Sequence, residues 1–214
     1  MSNGVLNWPE LKARLARRLD PLGVEAPGAG QSDFDLNPEW RGRAGRTAEA
    51  AVLAPIVERP DGPTVLLTRR AAALSNHAGQ IAFPGGRIDP GETAEAAALR
   101  EAEEEVGLAR ERVTLLGRSS AYETVTGFKV TPVVGVVAPP FTLTLNTAEV
   151  AEAFEVPLGV VLDEARYERR FRDFEAGRRY FYALVHEDRV IWGATAGMLR
   201  ALRARLVDGM EAAS

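Results

Sequence analysis

The sequence predicts one α/β domain of mixed strands and a few helices, preceded by an N-terminal helical extension. Three observations predict it. Short β-rich segments separated by turn residues run through the chain. Segments with apolar residues at helical spacing stand near both ends and once in the middle. No composition break or internal repeat divides the 214 residues.

Asn7 to Leu19 reads as the first helix: Asn7 can cap it, Pro9 suits its first turn, and Trp8, Leu11, Leu15 and Leu19 recur along one face. Asp20 to Arg46, rich in Gly, Pro and Asp, reads as a long irregular arm in which Phe34, Leu36 and Trp40 can pack. Residues 1–46 are therefore expected to form the helix and arm, and residues 47–214 the domain proper. Ala48 to Val57 and Thr64 to Thr68 read as strands joined by the turn Arg59-Pro60-Asp61-Gly62-Pro63. Ala71 to Arg87 reads as a loop with a short apolar piece, Ile81 to Phe83. Glu92 to Val106 reads as a helix closed by Gly107, at the position that favours a left-handed residue. Strands are then expected over Val113 to Tyr122, Val130 to Val137 and, more weakly, Phe141 to Leu145. Phe154 to Pro157 leads into a short helix ending near Ala165. Glu168 to Phe174 and Arg179 to Val185 read as a hairpin over Glu175-Ala176-Gly177-Arg178, and Val190 to Trp192 as a further strand. Ala194 to Val207 reads as a final helix with Met198, Leu199, Leu202 and Leu206 on its apolar stripe.

Composition excludes several function classes. The chain has no cysteine, which removes disulfides, thiolate metal sites, iron–sulfur clusters and a cysteine nucleophile. Two histidines, His77 and His186, argue against a multi-histidine zinc site. A formal net charge of −4 does not suggest a nucleic-acid partner. No apolar stretch is long enough to span a bilayer. The start shows no basic segment followed by an apolar one, so no secretory signal is read and a cytoplasmic location is the default.

The most informative region is Gly85 to Leu108. At about 100° per residue, Glu101, Glu104 and Glu105 fall on one face of the helix while Glu103 points away. Like charges at these spacings repel, so three carboxylates on one face call for a counter-ion or for solvent. A hard divalent cation fits oxygen ligands, and Mg²⁺ commonly bridges carboxylates and substrate phosphates. Gly85 and Gly86 precede the helix in a turn where backbone can approach a ligand. Arg100 could pair with Glu92 or hold a carboxylate in place.

Gly86, five residues, Glu92, seven residues, then Arg100-Glu101-Ala102-Glu103-Glu104-Glu105-Val106-Gly107-Leu108 resembles the Nudix box. Ala102 stands where a larger apolar residue is usual. The resemblance implies a Nudix-type α/β/α sandwich with a mixed β-sheet. It also implies Mg²⁺- or Mn²⁺-dependent hydrolysis of a nucleoside diphosphate linked to another moiety. By position it makes Glu101, Glu104 and Glu105 metal ligands or organisers of the metal's water, and Gly85 or Gly86 a carbonyl donor. Arg100 then orients the carboxylates and Glu92 pairs with it. A downstream glutamate sometimes serves as base or extra ligand in this superfamily; Glu149 is the candidate, with Glu152 and Glu123 behind it.

The stretch before the box resembles the motif of the coenzyme A pyrophosphatases. Leu66, Leu67, Thr68, Arg70, Ala71, Gly79, Phe83, Pro84, Gly85 and Gly86 match, and Ser75 stands where arginine is common. The segments His77-Ala78-Gly79-Gln80 and Gly127 to Gly135 are similar too. The implied substrate is a small molecule of the coenzyme A type, cleaved to adenosine 3′,5′-bisphosphate and 4′-phosphopantetheine. ADP-ribose, a dinucleotide or a nucleoside triphosphate are the alternatives, and a non-catalytic ligand sensor is a further one. Arg69, Arg70 and Arg87 could give bidentate donors to phosphate or simply face water. His77 could donate to phosphate or be satisfied by backbone, and Phe83 could stack on the substrate or sit in the core. The N-terminal helix and arm could pack on a second subunit, which would make a homodimer.

Overall fold

β1 (Ala48–Val57) is buried on both faces because its side chains alternate between two apolar layers. Ala50, Ala54 and Ile56 enter one layer with Leu11, Leu15, Leu199 and Leu202. Ala51, Leu53 and Val57 enter the other with Ala97, Ala98, Ala102 and Val106. The first layer belongs to α1 (Trp8–Arg18) and α4 (Ala194–Val207), the second to α2 (Ala94–Val106). The result is an α/β/α sandwich. The computed structural model describes residues 8–24, 31–41, 47–74, 77–175 and 177–207.

The main sheet is mixed. β1 runs parallel to β7 (Phe128–Val137) in one continuous register, Ala48 opposite Phe128 through Val57 opposite Val137. Its other edge is shared. At one end β1 pairs antiparallel with β2 (Thr64–Arg70), through Ile56 and Val57 only. At the other end, Ala50 to Val52 pair with β4 (Gly85–Arg87). Between these two pairings β1 and β2 diverge, and β2 takes β3 (Ile81–Ala82) instead. This fork holds the Gly85–Gly86 turn against the middle of the sheet. β8 (Val150–Pro157) covers the outer edge of β2, and β5 (Val113–Arg118) and β6 (Tyr122–Glu123) that of β7. After α3 (Leu158–Leu162), a separate antiparallel sheet follows: β9 (Tyr167–Phe174), β10 (Gly177–His186) and β11 (Arg189–Trp192). Among the described residues no helix is long and apolar enough to cross a membrane.

Several expectations need correction. The Ala71–Arg87 loop carries the two short strands β3 and β4. Val113 to Tyr122 is broken between β5 and β6. Phe141 to Leu145 forms no strand: Phe141, Leu143 and Leu145 pack on the α2 layer, while Thr144 N–H and Asn146 N–H donate to Val106 O and Glu105 O, both at 2.9 Å. Backbone donors that a strand would direct to a neighbour here satisfy the open carbonyls at a helix end. Glu92 lies outside α2, which is capped by Thr93 as its Oγ1 accepts from Ala96 N–H at 3.2 Å. Asn7, Arg46, Ser75, Ala176 and the C-terminal residues fall outside the described residues.

A buried ion pair ties the arm to the sandwich. Arg118 of β5 donates through two nitrogens to the Glu95 carboxylate of α2, both at 2.7 Å, and through a third to Val24 O at 2.7 Å. Gly23 N–H also donates to Glu95. The Arg118 guanidinium holds the Glu95 carboxyl down at about 2. A depressed pKa stabilises the fold above the unfolded value of about 4.5, and that stability is lost as pH falls toward the folded value. The parent should therefore exceed Glu95→Gln by on the order of 2–3 kcal/mol at pH 7, a gap closing between about pH 5 and pH 2. Denaturant unfolding across that range checks it; a gap independent of pH would contradict it.

Candidate active site

Arg100 is the hub of the carboxylate helix. Its guanidinium donates to both oxygens of Glu92 at 2.9 Å, to Glu101 at 2.9 Å, to Glu104 at 3.2 Å and to the Arg87 carbonyl at 3.2 Å. Glu92 reaches it from the preceding turn, where Asp89 N–H also donates to Glu92. One arginine thus fixes the spacing of three glutamates and the exit of β4. Glu103 points elsewhere and pairs with Arg110 at 3.0 Å.

Glu105 is the buried member of the set, with 3% of its surface exposed. Gly85 N–H donates to it at 3.3 Å, and an Arg70 nitrogen lies 3.7 Å away. Burial pushes the Glu105 carboxyl up to about 7, against the pull of Gly85 N–H and Arg70. Burial also raises the Glu101 carboxyl, against Arg100. The negative charge of Glu149, the residue before β8, pushes both in the same direction. Asn146 orients it through a 3.1 Å hydrogen bond. Glu152, by contrast, is engaged by Arg69 and Arg189, and Glu123 lies in β6 opposite Lys129.

Close approach governs two glycines, Gly85 against backbone and Gly86 against a side chain. A Cβ at Gly85 would lie 2.5 Å from Ala51 O and 2.6 Å from Val52 Cα, both backbone atoms that cannot yield. A Cβ at Gly86 would occupy the space of the Glu101 carboxylate. The turn and the carboxylates are therefore in direct van der Waals register.

This donor set fits a hard divalent cation. It offers oxygens from one helix face, the buried Glu105 and half-buried Glu101, which repel each other, and an adjoining backbone turn. Among the described residues no three acids or histidines already converge on one point. Glu101 and Glu104 lean on Arg100, and Glu105 on Gly85, so these carboxylates would have to turn from those partners to hold a cation together.

Beside the turn lies a cavity of about 450 Å³ between the sheet fork and the second sheet. Arg70, His77, Phe83, Gly85 and Arg87 line it. His77 Nδ1 is 2.9 Å from Gln80 Oε1 on its own loop, and Phe83 is also part of the apolar core. Arg69 does not line the cavity: it is engaged by Glu152, its register partner on β8, at 3.1 Å. Sequence reasoning missed Asp33, Arg172, Arg179 and Trp192, which line the same cavity from the arm and the second sheet. The alternation of β9 and β10 divides their residues between two faces, but nothing in the sequence says which face meets the main sheet.

The fold and this turn–helix unit define a class, the metal-dependent diphosphate hydrolases of the Nudix type. The NUDIX domain family matches residues 47–183, more than half of the chain, and the chain belongs to that family. It is a hydrolase acting on pyrophosphate bonds. It is similar to a protein of Cronobacter sakazakii described as an uncharacterized Nudix hydrolase NudL, at 40% identity over 172 residues, covering 80% of this chain and 89% of that one. Proteins of the same description from Photorhabdus laumondii and Yersinia enterocolitica are 43% identical over 172 residues and 46% over 175. These matches cover 79% and 80% of this chain, and 90% and 88% of the relatives.

Proposed function

We propose that the chain hydrolyses the diphosphate of coenzyme A, with Mg²⁺ or Mn²⁺, to adenosine 3′,5′-bisphosphate and 4′-phosphopantetheine. The observation that carries this reading is the meeting of two motifs. Arg70, His77, Phe83 and Gly85, from the stretch that resembles the coenzyme A pyrophosphatases, line one cavity that borders the carboxylate helix at Gly86.

Glu101, Glu104, Glu105 and a carbonyl of the Gly85–Gly86 turn would hold the cation, which would offset phosphate charge and lower the pKa of the attacking water so that a base can deprotonate it. Arg100 keeps the carboxylates in register. Glu149, or a carboxylate of the helix face, accepts the proton of the attacking water. Arg70 and Arg87 donate to the non-bridging phosphate oxygens, His77 adds a donor from its loop, and Phe83 closes the apolar floor. Arg69 supports the site through Glu152 rather than through the substrate.

The reading predicts that coenzyme A leads a panel with ADP-ribose and a nucleoside triphosphate, by about tenfold or more in kcat/KM. ADP-ribose ahead by that margin would keep the chemistry and replace the substrate.

A further inference from the structure

The cavity is charged on both walls. Its lining holds four arginines, Arg70, Arg87, Arg172 and Arg179, and one aspartate, Asp33, in a chain whose formal net charge is −4. Arg70 and Arg87 stand beside the Gly85–Gly86 turn, where the diphosphate has to lie to meet the carboxylates. Arg172 and Arg179 belong to the second sheet, where they are register partners across β9 and β10.

Two like charges directly opposite each other destabilise an antiparallel pair. One of the two is neutralised. Arg179 donates to Asp33 at 3.0 Å, and Asp33, 4% exposed, also accepts from Tyr122 Oη at 2.9 Å and from Val125 N–H at 3.1 Å. That carboxylate is engaged by contacts that hold the arm to β6, the loop after it and β10. Arg172 has no carboxylate partner among the described residues; its guanidinium rests 5.6 Å from the centre of the Phe174 ring. Its neighbours differ: Arg170 pairs with Glu168, Arg178 with Asp173 and Arg189 with Glu152. An exposed cation left without an acid and turned into a substrate cavity raises the local potential for an anion.

We propose that Arg172, flanked by Arg179, forms a second anion subsite that binds a phosphate monoester of the substrate, apart from the diphosphate at Gly85–Gly86. The proposal rests on the coenzyme A reading, because the ribose 3′-phosphate is the anion that coenzyme A carries besides its diphosphate. Arg172 is then a specificity residue: it selects the 3′-phosphorylated coenzyme over dephospho-coenzyme A and takes no part in bond cleavage.

The test compares the parent with Arg172→Gln, a change at an exposed position, and with Arg169→Gln on the opposite face of the same sheet. The parent should favour coenzyme A over dephospho-coenzyme A. Arg172→Gln should raise KM for coenzyme A by about tenfold or more with kcat kept, and leave dephospho-coenzyme A unchanged. Arg169→Gln should alter neither. An equal effect of Arg172→Gln on both substrates, or none, overturns the subsite. Calorimetry with adenosine 3′,5′-bisphosphate and AMP separates this from failure of the substrate reading. If the parent cleaves neither coenzyme yet binds the bisphosphate more tightly in an Arg172-dependent way, the subsite stands and the coenzyme A reading falls. Equal affinity for the two nucleotides in parent and variant overturns the subsite.

Discussion

Replacing Glu105 by Gln is expected to lower kcat by at least about 10²–10³-fold while the protein stays folded. The amide keeps the shape and can still accept from Gly85 N–H, but it brings no negative charge to a bound cation. The fold should tolerate the change, because burial already disfavours the charged carboxyl and pushes it up to about 7. Glu103→Gln is the control on the same helix. Its side chain pairs with exposed Arg110, so its effect on kcat should stay within about twofold, as for surface positions in general. Steady-state kinetics with saturating Mg²⁺, beside thermal unfolding of each variant, checks both. Equal losses in the two variants would mean that helix charge as a whole matters and not the face. A loss of activity at Glu105 that tracked a loss of folded protein would make its role structural.

Gly85→Ala should be strongly damaging. The added carbon meets the backbone of β1 at 2.5 Å and 2.6 Å, so β4 must leave its pairing with Ala50–Val52 or β1 must bend. Overpacking of this kind costs about 1–3 kcal/mol and more where backbone has to move, which for a domain of this size lowers Tm by roughly 2–12 °C. Displacing β4 also withdraws Gly85 N–H from Glu105, so activity should fall further than stability alone accounts for. Gly159→Ala in α3, where a Cβ meets nothing within 4 Å, should be neutral or raise Tm slightly through helix propensity. Differential scanning calorimetry on the pair decides it. A Gly85→Ala protein with the parent's Tm would show that the turn is looser than its contacts indicate.

The sequence carries these two results unequally. Periodicity marks β1 and α4 with the bounds the structure has, because both are long and their apolar positions face packed layers. Gly107 marks the end of α2, where its φ of 67° closes the helix. The face shared by Glu101, Glu104 and Glu105, with Glu103 turned aside, follows from helical geometry alone. β3 and β4 are not legible: strands of two and three residues are too short to show alternation, and they exist because β1 and β2 diverge and leave backbone edges to be paired. Phe141 to Leu145 has the composition of a strand, yet its donors go to the end of α2. Arg69 and Arg70 are adjacent and look alike in sequence; one residue of β-strand parity sends the first to Glu152 and the second to Glu105. The far wall of the cavity depends on how a separate sheet docks, a long-range fact that no local pattern encodes.

The most direct test of the account is to identify the products formed from coenzyme A with Mg²⁺ by chromatography, for the parent and for Glu105→Gln. The account predicts adenosine 3′,5′-bisphosphate and 4′-phosphopantetheine in equal amounts from the parent, and almost none from the variant. Coenzyme A left intact by a parent protein that cleaves ADP-ribose would contradict it.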